Sequence, residues 1–563
     1  MAITDLQDVR TVVSSMTLAE KIGQVCSPIL QSSTIPPHIE RAIAEFGIGI
    51  LRYCPNADYD NASKVVGRPN PHLSPSQQGE LLNRAQWLAR STHLGIPLLV
   101  SIDQEGGTRN DFNRNGALVY GSHMAFGAAD DADLTRRVAR ASGEEIRSVG
   151  INLVQAPIVD IIQFCGRKTI KAASFGETAE LVSRHAVAML QGFRESGLAV
   201  MLKHFPTYGS SAVDAHKGMA RITRTLAELE TEDYLPYRAC FAAGADAVMI
   251  GHVIVDCLDD SGDAATVSRK IITGALREKL GFDGLVMSDA MRMSAIQEKY
   301  GTARACVLAM KAGCDALLLR GDERHFLDGY QAVADAFARG ELDEVQLDES
   351  VRRILTVKRN LRLPQTARVE PARADRIVGA TDHAALAREI AARSVALVRR
   401  GRLPWRLPAD AKVFVVCAEP SKLDGCDDPR QPIDMLPQAV RAVHPNTKAL
   451  LVSPAVTDSQ IAAAVSQAQQ ADAVIVGTVN AILHPQQVEW IRRLAEVGKP
   501  LAAVAIESPY DLLEYPRETE SACTFGAAND AMLVAAEVIF GRAEARGKPP
   551  VELAHPGRRE SFQ

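Results

Sequence analysis

No Cys-x-x-Cys pair and no Cys/His ligand spacing occurs in this chain, although it holds ten cysteines, among them Cys26, Cys54, Cys165, Cys314 and Cys523. A zinc site is therefore not expected, and the cysteines read as reduced thiols, mostly buried. Also missing is any run of about 20 apolar residues, which removes a membrane-spanning helix from consideration. The beginning, Met1-Ala2-Ile3-Thr4-Asp5, has neither a basic n-region nor an apolar h-region, so a cytoplasmic location is expected. There is no excess of one charge: 63 Lys and Arg against 68 Asp and Glu leave a net charge of -5, evenly mixed and without a long basic run. Nucleic acid and anionic membrane are therefore not expected as partners. No G-x-G-x-x-G and no P-loop follow an apolar run, so a dehydrogenase or other nucleotide enzyme lacks its phosphate-cradling backbone. Low-complexity tracts and short-period repeats are absent too.

What the chain has is length and rhythm. At 563 residues it exceeds what one core usually supports, so two or more domains are expected. From about residue 40 to 360, short apolar runs alternate with longer helical patterns, the signature of repeated βα units. Candidate strands cover 47–53, 97–102, 151–156, 199–203, 245–250, 284–288 and 316–319; these seven plus one missed strand make a closed (β/α)8 barrel. The reading is α/β: a barrel over 1–360, a linker over 361–378 with Pro364 and a charged run, and a smaller α/β sandwich over 379–563. In the second domain, runs at 413–417, 449–453, 473–477 and 501–506 are separated by helical patterns such as 460–470 and 486–497.

The polar residues of the barrel are placed informatively. Asp103 follows Val100-Ser101-Ile102, Lys203 and His204 follow Val200-Met201-Leu202, His252 follows Val248-Met249-Ile250, and Asp289 ends the run Leu285-Val286-Met287-Ser288. All lie at C-terminal strand ends, the rim on which barrel active sites are built. Taken singly, an aspartate there is equally a helix N-cap. Between the rim positions, Asp214-Ala215-His216 follows Lys203-His204-Phe205-Pro206-Thr207-Tyr208-Gly209, placing a histidine and an anchoring carboxylate in one Gly/Ser-rich segment. Histidine titrates at about pH 6.5, so it gives and takes a proton near neutrality, and a carboxylate two residues away stabilises its cationic form. The plain alternative is a loop histidine beside a turn-forming aspartate.

Together these segments resemble glycoside hydrolase family 3, especially its bacterial β-N-acetylglucosaminidase branch. The matching set is ordered along nearly the whole chain: Met16-Thr17-Leu18-Ala19-Glu20-Lys21-Ile22-Gly23-Gln24, Asp103-Gln104-Glu105-Gly106-Gly107, Gly150-Ile151-Asn152-Leu153, Ser174-Phe175-Gly176, Lys203-His204-Phe205-Pro206, Gly281-Phe282-Asp283-Gly284, Ser288-Asp289, and late in the chain Ser508-Pro509-Tyr510-Asp511-Leu512 and Gly547-Lys548-Pro549-Pro550. The resemblance implies a barrel followed by an α/β sandwich, and retaining exo-β-glycosidase chemistry through a glycosyl-aspartate intermediate. Asp289 matches the nucleophile, His216 the acid/base and Asp214 its orienting partner. Asp103, Lys203 and His204 are assigned to the glycone hydroxyls, with Arg109, Asp111, Tyr208 and His252 as further binding candidates, His252 being equally a hydrogen-bonded wall residue. The implied substrate is a terminal β-linked amino sugar, an N-acetylglucosaminide or a modified sugar. No metal or organic cofactor is implied, and the protein is expected as a monomer or homodimer.

The chain departs from the family pattern around the glycone. Two arginines expected after Asp-Gln-Glu-Gly-Gly are Thr108 and Asp111, with Arg109 and Arg114 as substitutes, and the arginine before Ser-Phe-Gly is Ala173. Acidic Asp111 suits a glycone carrying an amine; Arg167, Lys168 and Lys171 suit an anionic substituent; or the loop over 163–172 restores the lost contacts from another direction. Because a neutral histidine does not repel an anionic acceptor, phosphate is an alternative to water. A sugar-binding pseudoenzyme is the remaining alternative.

Overall fold

The computed structural model describes residue 6 and residues 8–55, 73–107, 109–113, 115–419 and 435–554. Eight short strands form its first sheet: β1 (Cys26–Leu30), β2 (Ile50–Tyr53), β3 (Leu99–Ile102), β4 (Leu153–Val154), β5 (Ala199–Phe205), β6 (Ala247–Ile250), β7 (Leu285–Ser288) and β8 (Leu317–Leu319). They pair in the order β7-β6-β5-β4-β3-β2-β1-β8, with every pairing parallel. A Met287–Ala316 bridge and the bond from the Ser288 N–H to the Ala316 carbonyl (3.0 Å) close the ring. Such strands are buried on both faces, which is why they read as unbroken apolar runs rather than alternating ones. The strand that the apolar pattern passes over is β1, Cys-Ser-Pro-Ile-Leu. Its serine and proline break the run, yet all five residues are buried once β2 and β8 flank it.

Helices surround the barrel, and their starts are written locally. Thr17, Ser74 and Thr225 each close a capping box with the Glu or Gln three residues on. Residues 361–378, read from composition as a linker, carry two short helices, Leu363–Thr366 and Pro371–Ile377. They are docked on the barrel: the Asn83 amide both donates to and accepts from the Val369 backbone at 2.9 Å, and Asp375 accepts from the Ser76 N–H at 3.0 Å.

The second sheet comprises β9 (Ala396–Arg399), β10 (Val413–Ala418), β11 (Thr447–Val452), β12 (Ala473–Thr478), β13 (Leu501–Ala505) and β14 (Glu520–Cys523). Its order is β9-β14-β13-β12-β10-β11, parallel except for the edge strand β9. Across the boundary with the barrel, Arg137 grips Glu389 through two bonds of 3.1 and 3.2 Å, and the Ser122 hydroxyl donates to the Phe525 carbonyl. The architecture is thus a barrel with an α/β sandwich attached. Among the described residues no helix is long and apolar enough to cross a membrane.

Candidate active site

The C-terminal ends of the barrel strands gather the charged residues into one rim, organised by two cations. Lys203, buried near the end of β5, donates to Asp103 (2.6 Å) and contacts Glu105 (2.5 Å). Burial works against its charge, but the two carboxylates outweigh this and hold its pKa above the usual lysine range. Arg52, the third residue of β2 and only 2% exposed, donates to Asp103 (2.5 Å) and to Asp111. Asp103 therefore has a cation on each oxygen, and its carboxyl lies well below the ordinary range although burial alone would raise it.

The hairpin after β3 depends on glycine. Gly106 has φ +91°, and a Cβ there would lie 2.2 Å from the Gly121 carbonyl oxygen. The turn brings Asp111 back beside Asp103, its N–H donating to the Asp103 carbonyl at 3.0 Å. Asp111 is met by the Arg52 guanidinium, and the Cys54 thiol donates to it at 3.3 Å, so its charge is balanced from within the protein. The guanidinium that the motif lacks at 111 enters the cluster from another strand. Thr108 and Arg114 lie outside the described residues. Arg109 stands 3.8 Å from Glu105 and is near enough to Asp214 to favour its ionised form.

After the neighbouring strand β4, Asp160 is fully buried and holds the residues at the end of β5 and beyond: one oxygen accepts from the Tyr208 N–H (2.6 Å), the other meets His204 Nδ1 (3.0 Å). The His204 and Tyr208 rings lean together with centroids 4.8 Å apart. The Tyr208 hydroxyl in turn accepts from the His252 N–H at 2.5 Å. Of the two readings the sequence left open for His252, the geometry fits the wall: its ring is fully buried, with Nε2 donating to the Ala290 carbonyl (3.0 Å) and Nδ1 2.7 Å from the Thr266 hydroxyl. It supports the turn that carries Asp289.

Asp289 follows β7, anchored by its N–H to the Ile250 carbonyl (3.0 Å), while its own Oδ1 accepts from the Ala290 N–H (2.6 Å). Burial pushes its carboxyl up, but the nearby imidazoles of His252, His204 and His216 outweigh burial and leave it below the usual carboxylate range. The loop after β5 carries the remaining pair. Asp214 Oδ1 receives both the His216 N–H (2.9 Å) and Nδ1 (2.8 Å), and although burial opposes it, this pairing holds Asp214 well below its ordinary pKa. Nδ1 of the His216 ring is thus committed to Asp214. The second domain reaches this rim: His484 lies close enough to Lys171 and Lys217 that their charges add to burial in disfavouring its protonation.

The basic residues of the loop over 163–172 separate on inspection. Arg167 is not available to an anionic sugar substituent, since it donates to the carbonyls of Ala554 (3.1 Å) and Glu552 (2.8 Å) and stacks over Tyr510 at 4.7 Å. Lys171 and Ala173 are buried in a 3-10 turn, whereas Lys168 is exposed. Sequence reasoning overlooked Arg52 and Asp160. Arg52 had a signal, a lone charge inside an apolar strand run; Asp160 had only its place after Ile158-Val159.

The N-terminal domain of glycosyl hydrolase family 3 matches residues 18–357. Over 93% of this chain and 92% of the relative, the chain is 26% identical to beta-hexosaminidase A of Pseudoalteromonas piscicida. It is 28% identical to a beta-N-acetylglucosaminidase/beta-glucosidase of Cellulomonas fimi, covering 81% of this chain and 84% of that protein. Among solved structures, a family 3 beta-N-acetylglucosaminidase from Paenibacillus sp. str. FPU-7 superposes with a TM-score of 0.89 at 28% identity, covering 96% and 99% of the two chains. A barrel rim carrying Asp289 and the Asp214–His216 pair, matched in sequence over most of the barrel and in structure over both domains, makes this chain a member of glycosyl hydrolase family 3.

Proposed function

We propose that the protein is a retaining exo-β-glycosidase that removes a terminal β-linked N-acetylglucosamine-like sugar, with Asp289 as nucleophile and His216 as acid/base. The observation that carries this reading is the arrangement at the strand ends: Asp289 is anchored after β7 by the Ile250 carbonyl and the Ala290 N–H, with His252, His204 and the Asp214-held His216 all near enough to favour its ionised form. Asp289, kept ionised, attacks the anomeric carbon as His216 Nε2 gives its proton to the leaving oxygen. His216 is then neutral and takes a proton from water, whose oxygen displaces Asp289 and restores the β configuration. Asp214 stabilises the imidazolium of the first half and fixes the ring for the second. Asp103, with a cation on each oxygen, accepts from glycone hydroxyls as a permanent anion. Lys203 and His204 complete the hydroxyl contacts. The N-acetyl preference rests on the names of the relatives above, and the cytoplasm is the compartment in which we place the activity.

The test is a panel of aryl β-glycosides: N-acetylglucosaminide, N-acetylgalactosaminide, glucoside, xyloside, glucosaminide and glucuronide. The N-acetylglucosaminide should be turned over, Asp289→Ala should abolish release, and a mechanism-based fluorosugar should label Asp289 on peptide mapping. Turnover of another glycoside alone would replace the proposed sugar, and activity retained by Asp289→Ala would overturn the mechanism.

A further inference from the structure

Phe164 is 53% exposed and Val213 is 44% exposed, two of only a few large apolar side chains so exposed among the described residues. They stand on two segments laced together beside the acid/base. The Gln163 N–H donates to the Gly209 carbonyl (2.8 Å), and the Thr169 hydroxyl to the Ser211 carbonyl (2.8 Å). Gly166 lies so close to the second segment that a Cβ there would be 2.0 Å from the Gly209 oxygen. The Ser211 hydroxyl then donates to the Val213 carbonyl at 2.6 Å, one residue before Asp214.

The Phe164 ring is also mounted. The Arg167 guanidinium packs against it at 4.5 Å and against Tyr510 of the second domain at 4.7 Å, forming a Phe–Arg–Tyr stack. Arg167 is only 8% exposed and is tied to the Glu552 and Ala554 carbonyls, so the support is fixed. A ring held from behind in this way keeps its other face open for contact without the cost of ordering a mobile side chain. Trp87, equally exposed, has its own Arg84 over the ring at 4.1 Å on a helix of the barrel's exterior.

We propose that Phe164 and Val213 form the aglycone subsite, a platform on which a leaving group with a flat apolar face, the C–H face of a pyranose or an aromatic ring, rests while His216 protonates the linking oxygen. This rests on the function proposed above, since it places the leaving side of the glycoside next to His216. Phe164→Ala should lower kcat/KM about 2–10-fold for both the 4-nitrophenyl N-acetylglucosaminide and a β-linked disaccharide, the range that aromatic contacts support. The inhibition constant of free N-acetylglucosamine, which fills only the glycone side, should not move, and Phe164→Tyr should keep wild-type values. Equal kcat/KM in Phe164→Ala and wild type would overturn the platform alone, as would a parallel change in the inhibition constant, which would mean a loop disturbed as a whole. A wild-type protein silent toward every glycoside would overturn the platform together with the function on which it rests.

Discussion

Arg52 sets the charge balance of the site. It is buried with two carboxylates on its guanidinium, and removing it leaves Asp103 and Asp111 facing each other without their shared cation. Arg52→Met is expected to cost about 3–5 kcal/mol of stability, the range for breaking a buried pair. Asp111→Asn added to it should give part of that back, because the uncompensated carboxylate is gone. Urea unfolding of the two single variants and the double variant, treated as a cycle, checks this; additive effects would mean that the two residues do not interact. At this scale much was legible. Asp103, Lys203, His204 and Asp289 announce themselves by ending apolar runs. What Asp111 does was not legible, because its partner stands 59 residues away on another strand.

The barrel strands could be read because each is a short, doubly buried apolar run, and β1 could not because Ser27 and Pro28 interrupt it. The helix Glu344–Asn360 holds a second feature without a local signal: Lys358 is fully buried, its Nζ donating to Gln24 Oε1 at 2.8 Å. Burial lowers its pKa to about 7. An unfolded lysine keeps its proton to about pH 10.4, so between about 7 and 10.4 the unfolded state binds more protons and stability rises with pH. Below that window both states hold the proton, and the cost of burying the charge is borne in full. Relative to Lys358→Met, the wild type should gain about 2 kcal/mol between pH 7 and pH 9 in urea unfolding. Equal gains in the two proteins would mean that Lys358 does not titrate in this way.

Across the whole molecule, the segment over 547–552 is bonded both to the start of the second sheet and to the barrel. The Gly547 N–H donates to the Val395 carbonyl (3.0 Å), Lys548 to Ala128 (3.0 Å), and Glu177 to Pro550 (3.3 Å), while Glu552 donates to the Glu177 carboxylate (2.7 Å). Through Arg167 this strap also fixes the segment that braces the Asp214–His216 loop. Stopping the chain after Arg546 should therefore lower kcat/KM about 10–100-fold, the penalty for small displacements of catalytic groups, while thermal unfolding stays cooperative. Unchanged kcat/KM would mean that the barrel alone positions the loop.

By itself the sequence determined the barrel, the attached α/β sandwich and the residues at the strand ends, because short apolar runs, the helical patterns between them and the polar residues that end them act over a few residues and leave a local pattern. The pairing of Arg52 with Asp111, the burial of Lys358 and the stack of Phe164 on Arg167 and Tyr510 were decided only by tertiary structure. Each joins segments far apart in the chain, and charge and packing energies depend on distance in space, which neighbouring residues in a sequence do not record.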